Sequence, residues 1–349
     1  MTQTGKIIWR SPSNIAVVKY WGKKGFQLPG NSSVSMTLTN CYTETKVEYS
    51  QKTGSDSPSF SFLFQGERNV DFETRTARFL EIALKELPAL KHLHLQIESS
   101  NSFPHSAGIA SSASAISSLA LCLCSINQQV TNITETQEHF LRSASHLARL
   151  GSGSACRSVY GGWVLWGETI GIMNSSDDFA VPISHLSNKI FSTYYDAILI
   201  VNSGIKKVKS SEGHKLMESN PYKEIKFNTG NKNAVKLLSS LSSGNAELFR
   251  NIAEYEALSL HAMFMTSDPS YLLIKPETLH IINNLTRFRS ETGLEFSFTL
   301  DAGPNIHLLY PETARERIVS FIETDLVAYC ENGKWIDDRI GNGPELIQN

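Results

Sequence analysis

Apolar positions along this chain repeat with two periods, and the change from one to the other marks out its elements. In the first third the short period dominates. Ile15 to Val18 is an apolar run that predicts a buried strand, with Lys19 at its end. Val34 to Leu38 and Thr43 to Tyr49 are rich in β-branched and aromatic residues, which pack well on a pleated surface, and predict two more strands. Phe60 to Phe64 predicts another, after a loop of Gly, Pro and Ser residues between Gln51 and Ser59. From Asp71 to Leu87 the period lengthens: Phe72, Phe79, Leu80, Ala83 and Leu87 approximate one face of a helix. Leu93, Leu95 and Ile97 alternate again, as in a strand. They lead into the small-residue segment Ser99 to Ser118, whose second half predicts a buried helix. Phe140 to Leu150 and Leu248 to Phe264 read as helices, and Trp163 to Trp166 and Ala197 to Val201 as strands. Phe296 to Leu300 and Ile306 to Tyr310 flank the turn Asp301 to Asn305. Pro311 sits where a helix can start, ahead of a helical stretch from Arg315 to Ile322. Runs of strands with helices to cover one face predict an α+β architecture.

The 349 residues exceed what one compact core usually holds, so two domains are expected. A boundary near Ser184 to Asn188 divides them into residues 1–187 and 188–349. With 41% hydrophobic and 19% charged residues the composition is that of a globular protein. The formal net charge of −2 gives no reason to expect nucleic acid or an anionic membrane as a partner. Any anion must therefore be bound by a local site. Five cysteines at irregular spacing, with no CxxC pair, predict free thiols rather than zinc or a disulfide framework. With no apolar signal core at the N-terminus and no membrane-length apolar run, the expectation is a cytoplasmic protein.

Four segments carry candidate chemistry. The first is Pro104-His105-Ser106-Ala107-Gly108-Ile109-Ala110-Ser111-Ser112-Ala113, small residues directly ahead of a predicted helix. Small residues let backbone approach a ligand closely. The first N–H groups of a helix are unpaired and carry the positive end of its dipole, a combination that binds phosphate. A helix packed tightly on a sheet would have the same composition. The Gly-Lys-Ser/Thr ending of a Walker loop is absent. His105 at the loop entrance is read as a hydrogen-bonded histidine. The second segment runs from Asn14 through Lys19-Tyr20-Trp21-Gly22-Lys23-Lys24. An ammonium at Lys19, flanked by apolar residues, needs an anion partner, whereas Lys24 reads as solvated. The third is Gly151-Ser152-Gly153-Ser154-Ala155-Cys156-Arg157-Ser158. Backbone nests and serines suit phosphate, and the planar fork of arginine suits carboxylate. The aromatic residues that follow it argue against a flexible linker. The fourth is Asp301-Ala302-Gly303-Pro304-Asn305, where the usual role of the aspartate is to cap its own turn.

Taken together and in this order, the segments resemble the diphosphomevalonate decarboxylase family of the GHMP kinase superfamily. The likeness spans about residues 11 to 310, and Val201 to Lys207, containing Ser203, resembles a substrate-side segment of that family. Gly204 stands where an aspartate is common there, and His105-Ser106 replace the usual Thr-Ala. The resemblance implies a ribosomal protein S5 domain 2-like N-terminal domain and a ferredoxin-like α+β C-terminal domain. It implies ATP-dependent decarboxylation of 5-diphosphomevalonate to isopentenyl diphosphate, with Mg2+. A related small-molecule kinase, or a decarboxylase acting on mevalonate or 5-phosphomevalonate, is the alternative. The implied catalytic residues are Asp301 as base, Lys19 to hold it ionised, and Arg157 with Asn14 on the substrate carboxylate. Tyr20, Trp21, Lys23, Ser152, Gly153, Ser154 and Ser203 are implied at the substrate. Ser99, Asn101, Pro104, Gly108, Ala110, Ser111 and Ser112 are implied at ATP, with Ser112 also at magnesium. A homodimer is implied as well.

Overall fold

The computed structural model describes residues 4–52, 59–104, 109–204 and 210–348. Two sheets organise them. The first is built on two long strands, β1 (Thr4–Val18) and β2 (Ser33–Gln51), paired antiparallel. β2 is continuous where the sequence pattern predicts two strands. Thr39 and Asn40 at its middle are exposed and interrupt the alternation. The carboxylate of Asp338 accepts the backbone N–H groups of Thr39, Asn40 and Cys41 at 2.8–2.9 Å, which holds the strand through this interruption. β3 (Ser59–Phe64) runs parallel to β4 (Leu93–Asn101), and β4 pairs antiparallel with β2. β5 (Trp163–Trp166) and β6 (Ala180–Pro182) extend the sheet beside the start of β2.

The second sheet is antiparallel throughout. It contains β7 (Tyr194–Leu199), β8 (Ser297–Leu300), β9 (Ile306–Pro311) and β10 (Trp335–Arg339), in the order β10-β7-β9-β8. Pro311 closes β9 and, as expected, also stands at a helix start: it caps a 3₁₀ turn, Glu312–Ala314, that runs into an α-helix at Arg315. The last strand, β11 (Glu345–Gln348), returns to the first sheet and pairs with β1. The mixture of sheets and helices is α+β, as the pattern predicts.

Three helices cover one face of the first sheet: α1 (Val70–Glu86), α2 (Ser111–Thr131) and α3 (Gln137–Gly151). Their apolar faces form one core with Ile7, Val47, Leu95 and Ile97. A short α4 (Ser210–Leu216) precedes α5 (Lys223–Ser243) and α6 (Ala246–Met265). A second core forms where Ala234 and Leu237 of α5, and Phe249 and Ile252 of α6, meet Val17, Trp163 and Ile198. It ties the two sheets together. A third core, under α7 (Pro276–Thr292) and α8 (Arg315–Phe321), covers the far face of the second sheet. Among the described residues no helix is long and apolar enough to cross a membrane.

Candidate active site

β1 ends at Val18, so Lys19 leaves the strand where its neighbours Val17 and Val18 are fully buried. Its side chain follows them inward and is 2% exposed. A buried ammonium is tolerated only with a partner. The partner comes from the end of β8: Asp301 Oδ1 lies 2.9 Å from Lys19 Nζ. The pair joins residues 282 positions apart. Burial pushes the Lys19 pKa down, and the Asp301 carboxylate opposes that shift. Asp301 itself is 27% exposed and so keeps one side open to solvent. Its turn is braced. Gly303 N donates to the Asp301 carbonyl at 2.7 Å, and Thr278 Oγ1 donates to the Pro304 carbonyl at 2.7 Å.

Arg157 stands in a 3₁₀ turn, Gly153–Val159, that directly follows α3. It is 2% exposed, yet no carboxylate lies within ion-pair distance of it among the described residues. Its Nε donates to Ser35 Oγ at 3.0 Å and Asn14 Oδ1 at 3.3 Å, and its Nη1 to Ser33 Oγ at 2.7 Å. All of these acceptors are neutral. A guanidinium stays charged in proteins, so these contacts hold a fixed positive charge without cancelling it. Asn14 is aimed by its Nδ2, which donates to Ser158 Oγ at 2.8 Å. The strand register shifts between Pro12 and Asn14, a bulge that re-aims the side chain.

Tyr20 is wedged edge-on against Trp166, with its hydroxyl buried and without a hydrogen-bond partner. Gly153 makes room for it: a Cβ there would stand 2.7 Å from the Tyr20 hydroxyl oxygen. Trp21 belongs to a core cluster with Met217, Phe227 and Phe264, and its ring stacks on His214 at 4.5 Å. Gly22 N donates to His214 Nδ1 at 3.0 Å, and burial, with Lys23 close by, lowers the His214 pKa to about 3. Lys23 is half-buried, with its pKa lowered by burial. Lys24 pairs with Asp177 at 2.6 Å on the surface. Ser152 caps α3, and the Ser154 carbonyl accepts from Asn14 Nδ2 at 3.4 Å.

The remaining candidates form a second group. Ser99 and Asn101 lie on β4 and bond across to Thr45 and Thr43 of β2. Pro104 is exposed. Gly108 and His105 lie outside the described residues. Ala110 takes a left-handed conformation (φ 46°) and precedes α2 without a side-chain cap. Ser111 is half-buried and Ser112 exposed in the first turn of α2. The Ser13 hydroxyl donates to the Ile109 carbonyl, which pins this turn to β1 one residue from Asn14. Ser203 is exposed. Its N–H donates to the Glu331 carboxylate, and its neighbour Asn202 is clasped by Asn305 at 2.8 and 3.0 Å. It therefore adjoins the Asp301 turn but shares no described bond with Lys19 or Arg157.

The chain matches the family model for a diphosphomevalonate decarboxylase-like N-terminal domain over residues 11–178. It matches the model for a mevalonate 5-diphosphate decarboxylase C-terminal domain over residues 197–341. It is 31% identical to the diphosphomevalonate decarboxylase of Gibberella zeae, over 88% of this chain and 82% of the relative. This chain belongs to the diphosphomevalonate decarboxylase family. The Saccharomyces cerevisiae member is 30% identical over 89% of this chain and 79% of its own length. The solved mevalonate diphosphate decarboxylase of Staphylococcus aureus superposes with a TM-score of 0.83 at 29% identity, covering 100% of this chain and 99% of that one. The Enterococcus faecalis enzyme does so at 0.82 and 26%, covering 99% and 100%.

Several polar residues at the centre of this family member were not singled out from the sequence. Ser33 and Ser35 sit in a hydroxyl-rich turn and strand that says little until Arg157 is placed beside them. Glu256 and His261 lie within an apolar helical pattern, on its buried side. That is a readable signal, because such residues are buried only with partners.

Proposed function

We propose that this chain catalyses the ATP-dependent decarboxylation of 5-diphosphomevalonate to isopentenyl diphosphate. The observation that carries the reading is the pairing of Lys19 with Asp301 across the two sheets, with the buried Arg157 held by the neutral groups of Asn14, Ser33 and Ser35. Family membership supports it. The E. faecalis relative is described by a mevalonate diphosphate mediated ATP binding mechanism, and a solved MDDEF complex contains MVAPP, AMPPCP and magnesium. The ATP phosphates fit the uncapped start of α2 after the left-handed Ala110, and Ser111 and Ser112 offer hydroxyls there. Magnesium, held with those phosphates at Ser112, supplies charge neutralisation when bound.

Hydroxide is a poor leaving group from the tertiary C3 of the substrate. Asp301 takes the proton of the 3-hydroxyl as its oxygen attacks the γ-phosphorus of ATP, and the bond to the β-phosphate oxygen breaks to release ADP. Lys19 offsets charge on the transferred phosphoryl group. The C3–O bond then breaks and phosphate leaves. The electron pair of the C–CO2 bond forms the double bond, and carbon dioxide departs. Arg157 and Asn14 hold the carboxylate so that its C–C bond aligns with the leaving phosphate. Tyr20, Lys23, Ser152, Ser154 and Ser203 are assigned to the diphosphate.

The division of the chain at residues 187 and 188 belongs to this proposal, supported by the gap between the two family-model matches. So do a cytoplasmic location, supported by five free, buried cysteines, and the homodimer implied by the family. The test is a product assay by mass spectrometry with ATP and either 5-diphosphomevalonate or 5-phosphomevalonate. Carbon dioxide and ADP in equal amounts from the diphosphate are expected. ADP without carbon dioxide would mean a kinase, and turnover of the monophosphate alone would reassign the substrate.

A further inference from the structure

Behind the Lys19–Asp301 pair lies α6, and it bonds to the main chain of both residues. Glu256 is fully buried, and its Oε2 accepts the backbone N–H of Lys19 at 3.1 Å. Two residues of α5 complete its coordination. Lys226 donates its ammonium to the same oxygen, and Asn233 Nδ2 donates to Oε1 at 2.7 Å. The Lys19 carbonyl is held in turn by Asn31 Nδ2 at 3.1 Å. Five residues further along α6, His261 is 1% exposed, with its Nε2 3.1 Å from the carbonyl oxygen of Asp301. A carbonyl only accepts, so Nε2 carries the proton and donates it. Nδ1 is buried without a partner. Burial lowers the His261 pKa to about 4, which keeps the ring neutral and this single tautomer in place.

We infer that α6 sets the spacing of the catalytic pair, with Glu256 anchoring the backbone of Lys19 and His261 the backbone of Asp301. Lys19 directly follows a strand of the first sheet and Asp301 directly follows a strand of the second. Without a common element, their separation would follow every small shift of one sheet against the other. One rigid helix bonded to both main chains removes that freedom at a rise of about 1.5 Å per residue between the anchor points. Glu256 and His261 touch neither reacting atom and are positioning residues. The inference rests on the reading of Lys19 and Asp301 given above.

Glutamine and asparagine at 261 separate positioning from simple filling. A glutamine amide nitrogen reaches the position of Nε2, whereas an asparagine nitrogen reaches only that of Nδ1. His261→Gln is expected to keep kcat within about threefold. His261→Asn should lower it about tenfold to a hundredfold, with KM for ATP and for 5-diphosphomevalonate within about twofold in both. Glu256→Leu combined with Lys226→Met removes both charges together, so neither is stranded, and should lower kcat by a similar factor at unchanged KM. Crystal structures of the two His261 variants read the geometry without reference to turnover: the Lys19–Asp301 contact persists in His261→Gln and opens in His261→Asn. Equal kcat in the two His261 variants, losses that appear in KM, or an intact contact in His261→Asn would overturn the inference. Failure of wild-type protein to release carbon dioxide would instead count against the proposed reaction and leave the crystallographic comparison to decide the role of α6.

Discussion

Replacing Asp301 with asparagine leaves the ammonium of Lys19 buried and without its ion-pair partner. That side chain is 2% exposed and Asp301 is 27% exposed. Removing one member of a buried pair costs about 3–5 kcal/mol. Partial solvent access at Asp301 puts this case near the lower end, about 3 kcal/mol. Lys19 can also release its proton. From an ordinary lysine pKa that costs at most about 4.6 kcal/mol at pH 7, so the ceiling is of the same size. The direction of the pH dependence follows from proton counts. A neutral Lys19 in the folded variant binds fewer protons than the same lysine unfolded, so the stability of the variant rises with pH. The gap to wild type should therefore narrow from pH 7 toward pH 9, by up to about 1.4 kcal/mol per unit. Urea unfolding of both proteins at pH 7, 8 and 9 measures this. In parallel, kcat should fall by about a thousandfold through loss of the base, with ATP affinity within about twofold. A variant as stable as wild type at every pH would refute the buried pair, and turnover within tenfold of wild type would refute Asp301 as the base.

Two further substitutions probe the other side of the cleft. Arg157→Lys cannot span Ser33 Oγ at 2.7 Å and Ser35 Oγ at 3.0 Å together, and loses the planar fork. With charge-assisted bonds worth about 1.5–3 kcal/mol each, kcat/KM for 5-diphosphomevalonate should fall about a hundredfold in a carbon dioxide release assay; an unchanged value would remove the carboxylate clamp. Gly153→Ala places a Cβ 2.7 Å from the Tyr20 hydroxyl oxygen and 2.8 Å from Trp166. Stability should drop by about 1–3 kcal/mol in urea, and KM for 5-diphosphomevalonate should rise while KM for ATP holds; the absence of both effects would displace Tyr20 from the substrate side.

Where elements lacked a clear period, the sequence left them unread. α5 carries Lys226 and Asn233 on its buried face, which breaks the apolar stripe that marks a helix. Those two residues find their partner inside the protein because Glu256 of α6 meets both, a fact visible only once the helices are packed. α7 buries only Thr278, Ile281 and Leu285 of its seventeen residues, too few for a readable face. β11 is exposed along its whole length and shows no alternation, because it adds to the edge of a sheet rather than covering a core.

The local chemistry was determined by the sequence alone. A lysine at the end of an apolar strand must find an anion, small residues ahead of a helix leave its first N–H groups accessible, and Gly-Ser turns before an arginine hold backbone donors close to a guanidinium. Such properties depend on neighbours along the chain, and so they survive without coordinates. Which anion Lys19 meets, which hydroxyls hold Arg157 and which helix spaces the pair were decided by tertiary structure. Those partners come from strands and helices up to 282 positions away, and only packing two sheets around α5 and α6 brings them within hydrogen-bond reach. Pairwise electrostatics and hydrogen bonds act over a few ångströms, so a residue's character can be read from its neighbours in sequence, while its role depends on its neighbours in space.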